Sequence, residues 1–379
     1  GQYNVIADYA ALMEYSYVSS AMYVDLLYQI NGTTAIANQD REVLSYLLWQ
    51  IIIDSLVVID NKFCQMANES LPNLPANFRE LARDLLLPLY ADLNGWNEAD
   101  TDSEHIIKLR SAVISALIRF EAEDVINYGY SLLAQLMEDN AGSIPLTDDG
   151  SIDISSNEMI SDNLIDAMLQ AATSEFDADT LAQLLSVFAN CNSNTKMYIL
   201  RAFEVLSMNE NIADSFQTVY DFIDNDVEDS LKVQGFSYLA TCTNLAAVWD
   251  QWDMQAPEDT NGPWGTLYAN GVAISTLIQI PIEFASQAKE DEATAFYFAG
   301  EYADLMDNYG AIINSTLEQM QSNVVWRAEN EAEMNAYLQA YVDGKASGFD
   351  TTAPVESTAV VETTEDEGDK ATRFETWCA

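Results

Sequence analysis

Histidine chemistry has little support in this sequence, because the only histidine is His105. A zinc-binding HExxH helix needs two histidines four residues apart, so that both rings face one metal ion. A nucleophilic triad would need His105 itself as the base. Since His105 stands beside Glu104 at the polar start of a predicted helix, we expect it to be structural and solvated. The sequence predicts no catalytic residue, no cofactor and no metal ligand in this chain.

Cysteine and glycine patterns exclude further classes of site. The four cysteines (Cys64, Cys191, Cys242 and Cys378) are far apart and form no CxxC pair, which excludes a zinc finger or a thioredoxin-like motif. Long-range disulfides remain possible, and their pairing stays open. No GxxxxGK[ST] or GxGxxG loop is present to bind nucleotide phosphates. Residues 147–158 are acidic but do not place carboxylates at the EF-hand positions.

Charge narrows the range of partners. The chain has 61 Asp plus Glu against 15 Lys plus Arg, a formal net charge of -46. Such a surface repels phosphates, so we expect no nucleic acid partner and no binding to anionic lipid, whereas cationic peptides would be attracted. The most apolar stretch, residues 47–59, is interrupted by Gln50 and Asp54 and is shorter than the roughly 20 residues of a bilayer span. It is therefore predicted to be a buried helix.

Three sequons indicate a secretory route. They begin at Asn31, Asn68 and Asn314, which are candidate N-glycosylation sites. The chain starts with Gly1 and shows no signal peptide, so we expect a processed protein or a piece of a longer one. We predict an extracellular or cell-surface location.

Apolar residues recur with helical spacing along most of the chain. Ile106, Leu109, Val113 and Leu117 share one predicted face, and Leu181, Leu184, Leu185 and Phe188 share another, preceded by the capping residue Asp177. Short polar breaks and the absence of sheet-like alternation predict roughly fifteen helices, in an all-α superhelical solenoid of antiparallel helix pairs resembling HEAT or armadillo repeats. Residues 1–345 form the predicted helical domain. The Thr- and Glu-rich tail, 346–379, is predicted to be disordered.

Several motifs resemble the C-terminal helical domain of aminopeptidase N-like zinc aminopeptidases, a family that includes the endoplasmic-reticulum aminopeptidases. The most specific is a closing pattern of Glu, Asn-x-x-Trp and Asn, followed by an aromatic-Leu pair. An upstream P-x-Y…GW…LR-x-x-V pattern and a Phe-to-Phe helix pair are also similar. The matching residues are Pro88, Trp96, Arg110, Phe284, Phe296, Glu318, Asn323, Trp326 and Asn330.

This resemblance implies a non-catalytic domain that caps the active-site chamber of a zinc aminopeptidase and helps position peptide substrates. The implied partners are an upstream catalytic domain, where zinc is expected, and peptides; a homodimer is also possible. The matching residues are structural in the family, so the resemblance implies no site role for them. An acidic inner face would favour basic peptides.

Departures from the family pattern leave a second interpretation open. The family's short-range cysteine pair is missing, its Arg after Cys191 is displaced to Arg201, and the charge is more negative than expected. We therefore carry over no ligand role to Arg201. The alternative is a free-standing secreted helical-repeat binding protein without enzyme activity.

Overall fold

The computed structural model describes residues 2–30, 42–65, 71–157, 159–175, 177–208, 214–253, 274–298 and 303–346. Within these ranges the chain is all-helical, and its one β-type contact is a single bridge between Leu146 and Ile152. The helices are α1 (Gln2–Glu14), α2 (Ser20–Ile30), α3 (Glu42–Cys64), α4 (Leu74–Asp92), α5 (Glu104–Arg119), α6 (Glu123–Asp139), α7 (Ile165–Glu175), α8 (Ala178–Phe188), α9 (Ser193–Ala202), α10 (Ser215–Asp226), α11 (Asp229–Leu239), α12 (Cys242–Asp253), α13 (Ile274–Gln279), α14 (Gln287–Tyr297) and α15 (Ala303–Ala346). Three short 3-10 segments, Asp162–Leu164, Phe203–Met208 and Ile280–Glu283, join neighbouring helices.

Local sequence explains where these helices lie and which faces they bury. On α5, Leu109, Val113 and Leu117 are all at most 1% exposed, which confirms the predicted apolar face. Such a face stabilises the fold by about 1.5–3 kcal/mol for each fully buried large side chain. At the start of α8, the Asp177 carboxylate accepts a hydrogen bond from the backbone N–H of Thr180 at 2.8 Å. This satisfies one of the free amides of the first turn, as predicted for an N-cap.

Alternate helices pack against one another to form a layer. In this odd-numbered layer, α1 contacts α3, α3 contacts α5, and the series continues through α7 and α9 to α11. The intervening helices α4, α6, α8 and α10 pack on their odd-numbered neighbours. This arrangement of antiparallel pairs confirms the predicted all-α solenoid. Helix α3 has a mostly apolar sequence, and α1, α4, α5 and α15 all pack against it.

Helix α15 connects the two ends of the solenoid. It contacts α13 and α14 from the end of the fold and also α2, α3 and α4 from its beginning. Its 44 residues would extend about 66 Å at 1.5 Å per residue, long enough to cross several packed helices. The first and last helices therefore share one core.

Two sequence predictions concern other parts of the chain. The tail at 346–379 lies outside the described residues except for Ala346, which ends α15, so its predicted disorder stays a prediction. For the membrane, no helix in the described ranges combines the length and hydropathy needed to cross a bilayer.

Candidate functional site

The closing-pattern residues of α15 hold that helix against the start of the chain. The Trp326 indole N–H donates to the carbonyl of Met13 at 2.8 Å, and the indole is 1% exposed. The Asn330 side-chain oxygen accepts from the backbone N–H of Ser20 at 2.7 Å, while its amide donates to the carbonyl of Trp326 at 2.8 Å. These hydrogen bonds matter because a buried donor or acceptor that lacks a partner lowers the stability of the fold by about 1–3 kcal/mol.

Lys62 brings a charge into the same junction. Its ammonium donates to the Asn323 side-chain oxygen at 2.8 Å and lies 4.7 Å from the centre of the Trp326 ring. The Asn323 amide in turn donates to the carbonyl of Ile282 at 2.8 Å. Burial lowers the pKa of Lys62 to about 8, although the carboxylate of Glu283 acts in the opposite direction.

The upstream pattern forms a second structural contact. Trp96 is 2% exposed and packs beside Gly129, where α6 contacts α7. A Cβ on Gly129 would lie 2.5 Å from Cβ of Ala171 and 2.8 Å from the Trp96 ring, so only glycine fits there. Arg110 donates to the carbonyl of Leu93 at 2.9 Å and so satisfies the C-terminal end of α4.

Arg110 also pairs with a carboxylate. Its guanidinium donates to Asp102 at 2.6 Å. The pKa of Asp102 is lowered: burial alone would raise it, but the backbone N–H of Ala99 and Arg110 favour the ionised form. The carboxylate and two of the three guanidinium nitrogens are thus paired, whereas the buried Nη1 of Arg110 has no hydrogen-bond partner among the described residues.

The remaining pattern residues are distributed over three other places. Phe284 and Phe296 both contact the Trp249 ring, with centroids 6.4 and 5.3 Å away. Pro88 is exposed inside α4, and Glu318 is exposed on α15. None of these residues lines the groove described below. His105 makes an edge contact with the Tyr46 ring at 5.8 Å.

The sequons have different positions relative to the described structure. Asn31 and Asn68 lie outside the described residues. Asn314 is exposed on α15, whereas Thr316 of the same sequon is 1% exposed. Glycosylation at all three asparagines stays a prediction.

A disulfide resolves the pairing that the sequence left open. Cys64 at the end of α3 bonds to Cys242 at the start of α12, across 178 residues. Cys191 is a buried free thiol, and burial raises its pKa to about 11.

The described residues bring together one group of three possible metal ligands, Asp60 with Cys64 and Cys242, but the disulfide occupies both sulfurs. This group is therefore not available as a metal site while the disulfide is intact.

A buried ion cluster surrounds the disulfide. The Asp60 carboxylate, whose side chain is 0% exposed, accepts from Arg79 at 2.9 Å and lies 3.3 Å from the Nε of Arg119. Arg79 also pairs with Glu121, and Arg119 donates to the side chain of Asn61. Removing one member of such a cluster leaves an uncompensated buried charge. Sequence reasoning missed this cluster because its members come from four separate helices or turns.

The candidate site is a groove on the face of the odd-numbered layer. It has a volume of about 480 Å³, and α3, α5, α7, α9 and the 3-10 segment Phe203–Met208 line it. Its apolar lining includes Tyr46, Ile53 and Val57 of α3, and its small polar lining includes Ser111 and Ser115 of α5. This size is within the range of small-molecule and side-chain pockets in proteins. A lining that mixes apolar, small polar and charged side chains suits a peptide.

The groove is lined by equal numbers of positive and negative side chains. The cations Lys108, Arg119 and Arg201 line it together with three acids, Asp54, Asp166 and Glu204. This groove is therefore not strongly acidic, despite the charge of -46 on the whole chain.

Two of the acids lie deep enough to be perturbed by burial. Burial raises the pKa of Asp166, although Arg201, which pairs with it at 2.9 Å, acts in the opposite direction. Burial also raises the pKa of Glu204, which Arg201 and Arg119 partly offset. The sequence alone could not identify Asp166 or Glu204 as groove residues, because nothing local separates them from the rest of its 61 acidic residues.

Comparison with known proteins identifies the family to which this fold belongs. Residues 2–322 match the family model described as "ERAP1-like C-terminal domain". The chain belongs to this family. An ERAP1-like C-terminal domain is a helical C-terminal domain of an aminopeptidase, which implies a catalytic domain as its partner. A search of curated proteins found no match.

Proposed function

We propose that this chain is the non-catalytic C-terminal domain of a zinc aminopeptidase, that it closes over the chamber of the catalytic domain, and that it positions peptide substrates there. The observation that carries the proposal is the groove on the odd-numbered layer, whose lining combines apolar, small polar and charged side chains. A domain of this kind contributes by orienting the substrate and excluding water. Zinc and the residues that activate water would belong to the catalytic domain.

Filling the groove in the enzyme that contains this domain tests the proposal. Ser115→Trp on α5 places a large ring among the lining residues. We expect kcat/KM for peptides of eight or more residues to fall about tenfold, which corresponds to about 1.4 kcal/mol. Hydrolysis of a single aminoacyl anilide, which is too short to reach the groove, should not change.

The matched control is Gln135→Trp, which adds the same ring at an exposed position on α6, away from the groove. It should leave both substrates unaffected. If Ser115→Trp slows both substrates equally, or slows neither, the groove does not position peptides.

The isolated chain should release no amine from aminoacyl anilides, with or without added zinc. Release that a chelator abolishes would contradict a non-catalytic role.

A further inference from the structure

In the groove, every lining cation forms an ion pair, but not every lining carboxylate does. Each cation that lines it lies within 4 Å of an acid: Lys108 pairs with Glu104 at 2.6 Å, Arg119 with Asp60 at 3.3 Å, and Arg201 with Asp166 at 2.9 Å. The partners of Lys108 and Arg119 are not among the lining residues. Among the described residues, the other two lining carboxylates, Asp54 and Glu204, form no ion pair within 4 Å, although Arg201 and Arg119 act on Glu204 from a longer distance.

Glu204 is the less satisfied of these two. The Asp54 carboxylate accepts a hydrogen bond from the Gln50 side chain at 2.8 Å. By contrast, within the described part of the chain no hydrogen bond or ion pair reaches the Glu204 carboxylate. Burial raises its pKa, so its ionised form is incompletely solvated in the free protein.

The backbone around Glu204 is held in place on both sides. Phe203 and Val205, its neighbours in the 3-10 segment, are 0% and 4% exposed. The hydroxyl of Thr241 donates to the Glu204 carbonyl at 2.7 Å. The carboxylate is therefore presented to the groove by a fixed backbone, and a ligand need not order this segment on binding.

We infer that the groove binds the cationic side chain of a lysine or arginine within a peptide, with Glu204 as its direct partner and Asp54 of α3 as a second lining anion. The inference rests on the proposed function and adds a substrate class to it. Arg119 and Arg201 do not prevent entry of the cation, because both already pair with carboxylates. Arg119 shares Asp60 with Arg79, which has Glu121 as a further partner, and Arg201 pairs with Asp166. The methylene groups of the incoming side chain would pack on Ile53 and Val57 of α3.

Binding of two matched peptides to the isolated chain tests this inference. Both are fluorescein-labelled decapeptides of alanine and leucine; one has a central arginine, and the other has citrulline, which keeps the shape but lacks the charge. Measured by fluorescence anisotropy, the arginine peptide should bind about tenfold more tightly than the citrulline peptide. Glu204→Gln should reduce this ratio to about twofold or less, since it removes the charge at constant size.

Glu138→Gln is the matched control, because it removes one acidic charge at an exposed position on α6. It should preserve the tenfold ratio, which separates local recognition from general attraction to a chain with a charge of -46. Equal binding of the two peptides by the unmodified chain would overturn the inference and leave the proposed function standing. The inference is equally overturned if Glu204→Gln keeps the full ratio. If neither peptide binds, both the inference and peptide positioning by this groove fail.

Discussion

Two regions of the molecule use buried polar groups in opposite ways. At the junction between α15 and the first helices, Trp326 and Asn330 each hydrogen-bond to backbone groups that are about 310 residues away in sequence. In the groove, the Glu204 carboxylate lies partly buried without a direct partner among the described residues. The difference suggests that Trp326 and Asn330 stabilise the fold, whereas Glu204 is available to a ligand. Substitutions of Trp326 and of Glu204 should therefore change stability in opposite directions.

The largest expected effect is at Trp326. Trp326→Ala should lower the free energy of unfolding by about 3–5 kcal/mol, because it removes a fully buried ring and leaves a cavity. It also leaves the Met13 carbonyl without its 2.8 Å donor. Chemical denaturation monitored by circular dichroism measures this change. Phe298→Ala is the control, since Phe298 is 55% exposed and its truncation should cost little. Similar losses for the two variants would contradict the structural importance of the junction.

An intermediate effect is expected from Lys62, through pH. Burial lowers its pKa from 10.5 to about 8 in the folded chain, so the cost of burying its charge is fully present below pH 8 and disappears as pH rises toward the unfolded value. From about pH 7.5 to about pH 9.5, the free energy of unfolding of the unmodified chain should therefore rise by about 2 kcal/mol more than that of a Lys62→Met variant. Burial raises the pKa of Tyr297 and of Tyr337, which stay protonated over this range.

Denaturation curves for both proteins at several pH values measure this difference. Lys108→Met provides the control, because Lys108 is an exposed lysine on α5. Parallel pH profiles for the unmodified chain and Lys62→Met would show that the buried ammonium carries no such cost.

The smallest effect, with the opposite sign to that of Trp326→Ala, is expected at Glu204. Burial raises the pKa of this carboxyl, so its ionised form opposes folding at neutral pH, and this cost diminishes as pH falls. Glu204→Gln should therefore raise the free energy of unfolding at pH 7 by less than about 1 kcal/mol, within the range of mild substitutions. The gain should shrink on acidification. A clear loss of stability at pH 7 would place Glu204 with the structural residues of the junction.

Helix type and position were predictable because they depend on local spacing. The apolar faces of α5 and α8, the Asp177 cap and the solenoid arrangement all follow from patterns within about twenty residues. The family resemblance was also readable, since its signature residues occur in order along the chain. Fold and family are therefore properties that local patterns in this sequence are sufficient to predict.

The groove and the disulfide could not be predicted in this way. The pairing of Cys64 with Cys242 depends on how α3 and α12 meet, and four cysteines allow three pairings even when all are bonded. Glu204 has no local signal that distinguishes it from the other acids. Its importance depends on which cations already have partners, and those partners, Asp60 and Asp166, are distant in sequence.

The contacts that α15 makes with the start of the chain also affect folding during synthesis. The carbonyl of Met13 receives its hydrogen bond from a residue 313 positions later. At about 5–20 residues per second, a ribosome needs roughly 15–60 s to add Trp326 after it has added Met13. During that interval α1 and α2 cannot bury the surfaces that α15 covers. A nascent chain should therefore depend on chaperones most strongly before its last helix is released.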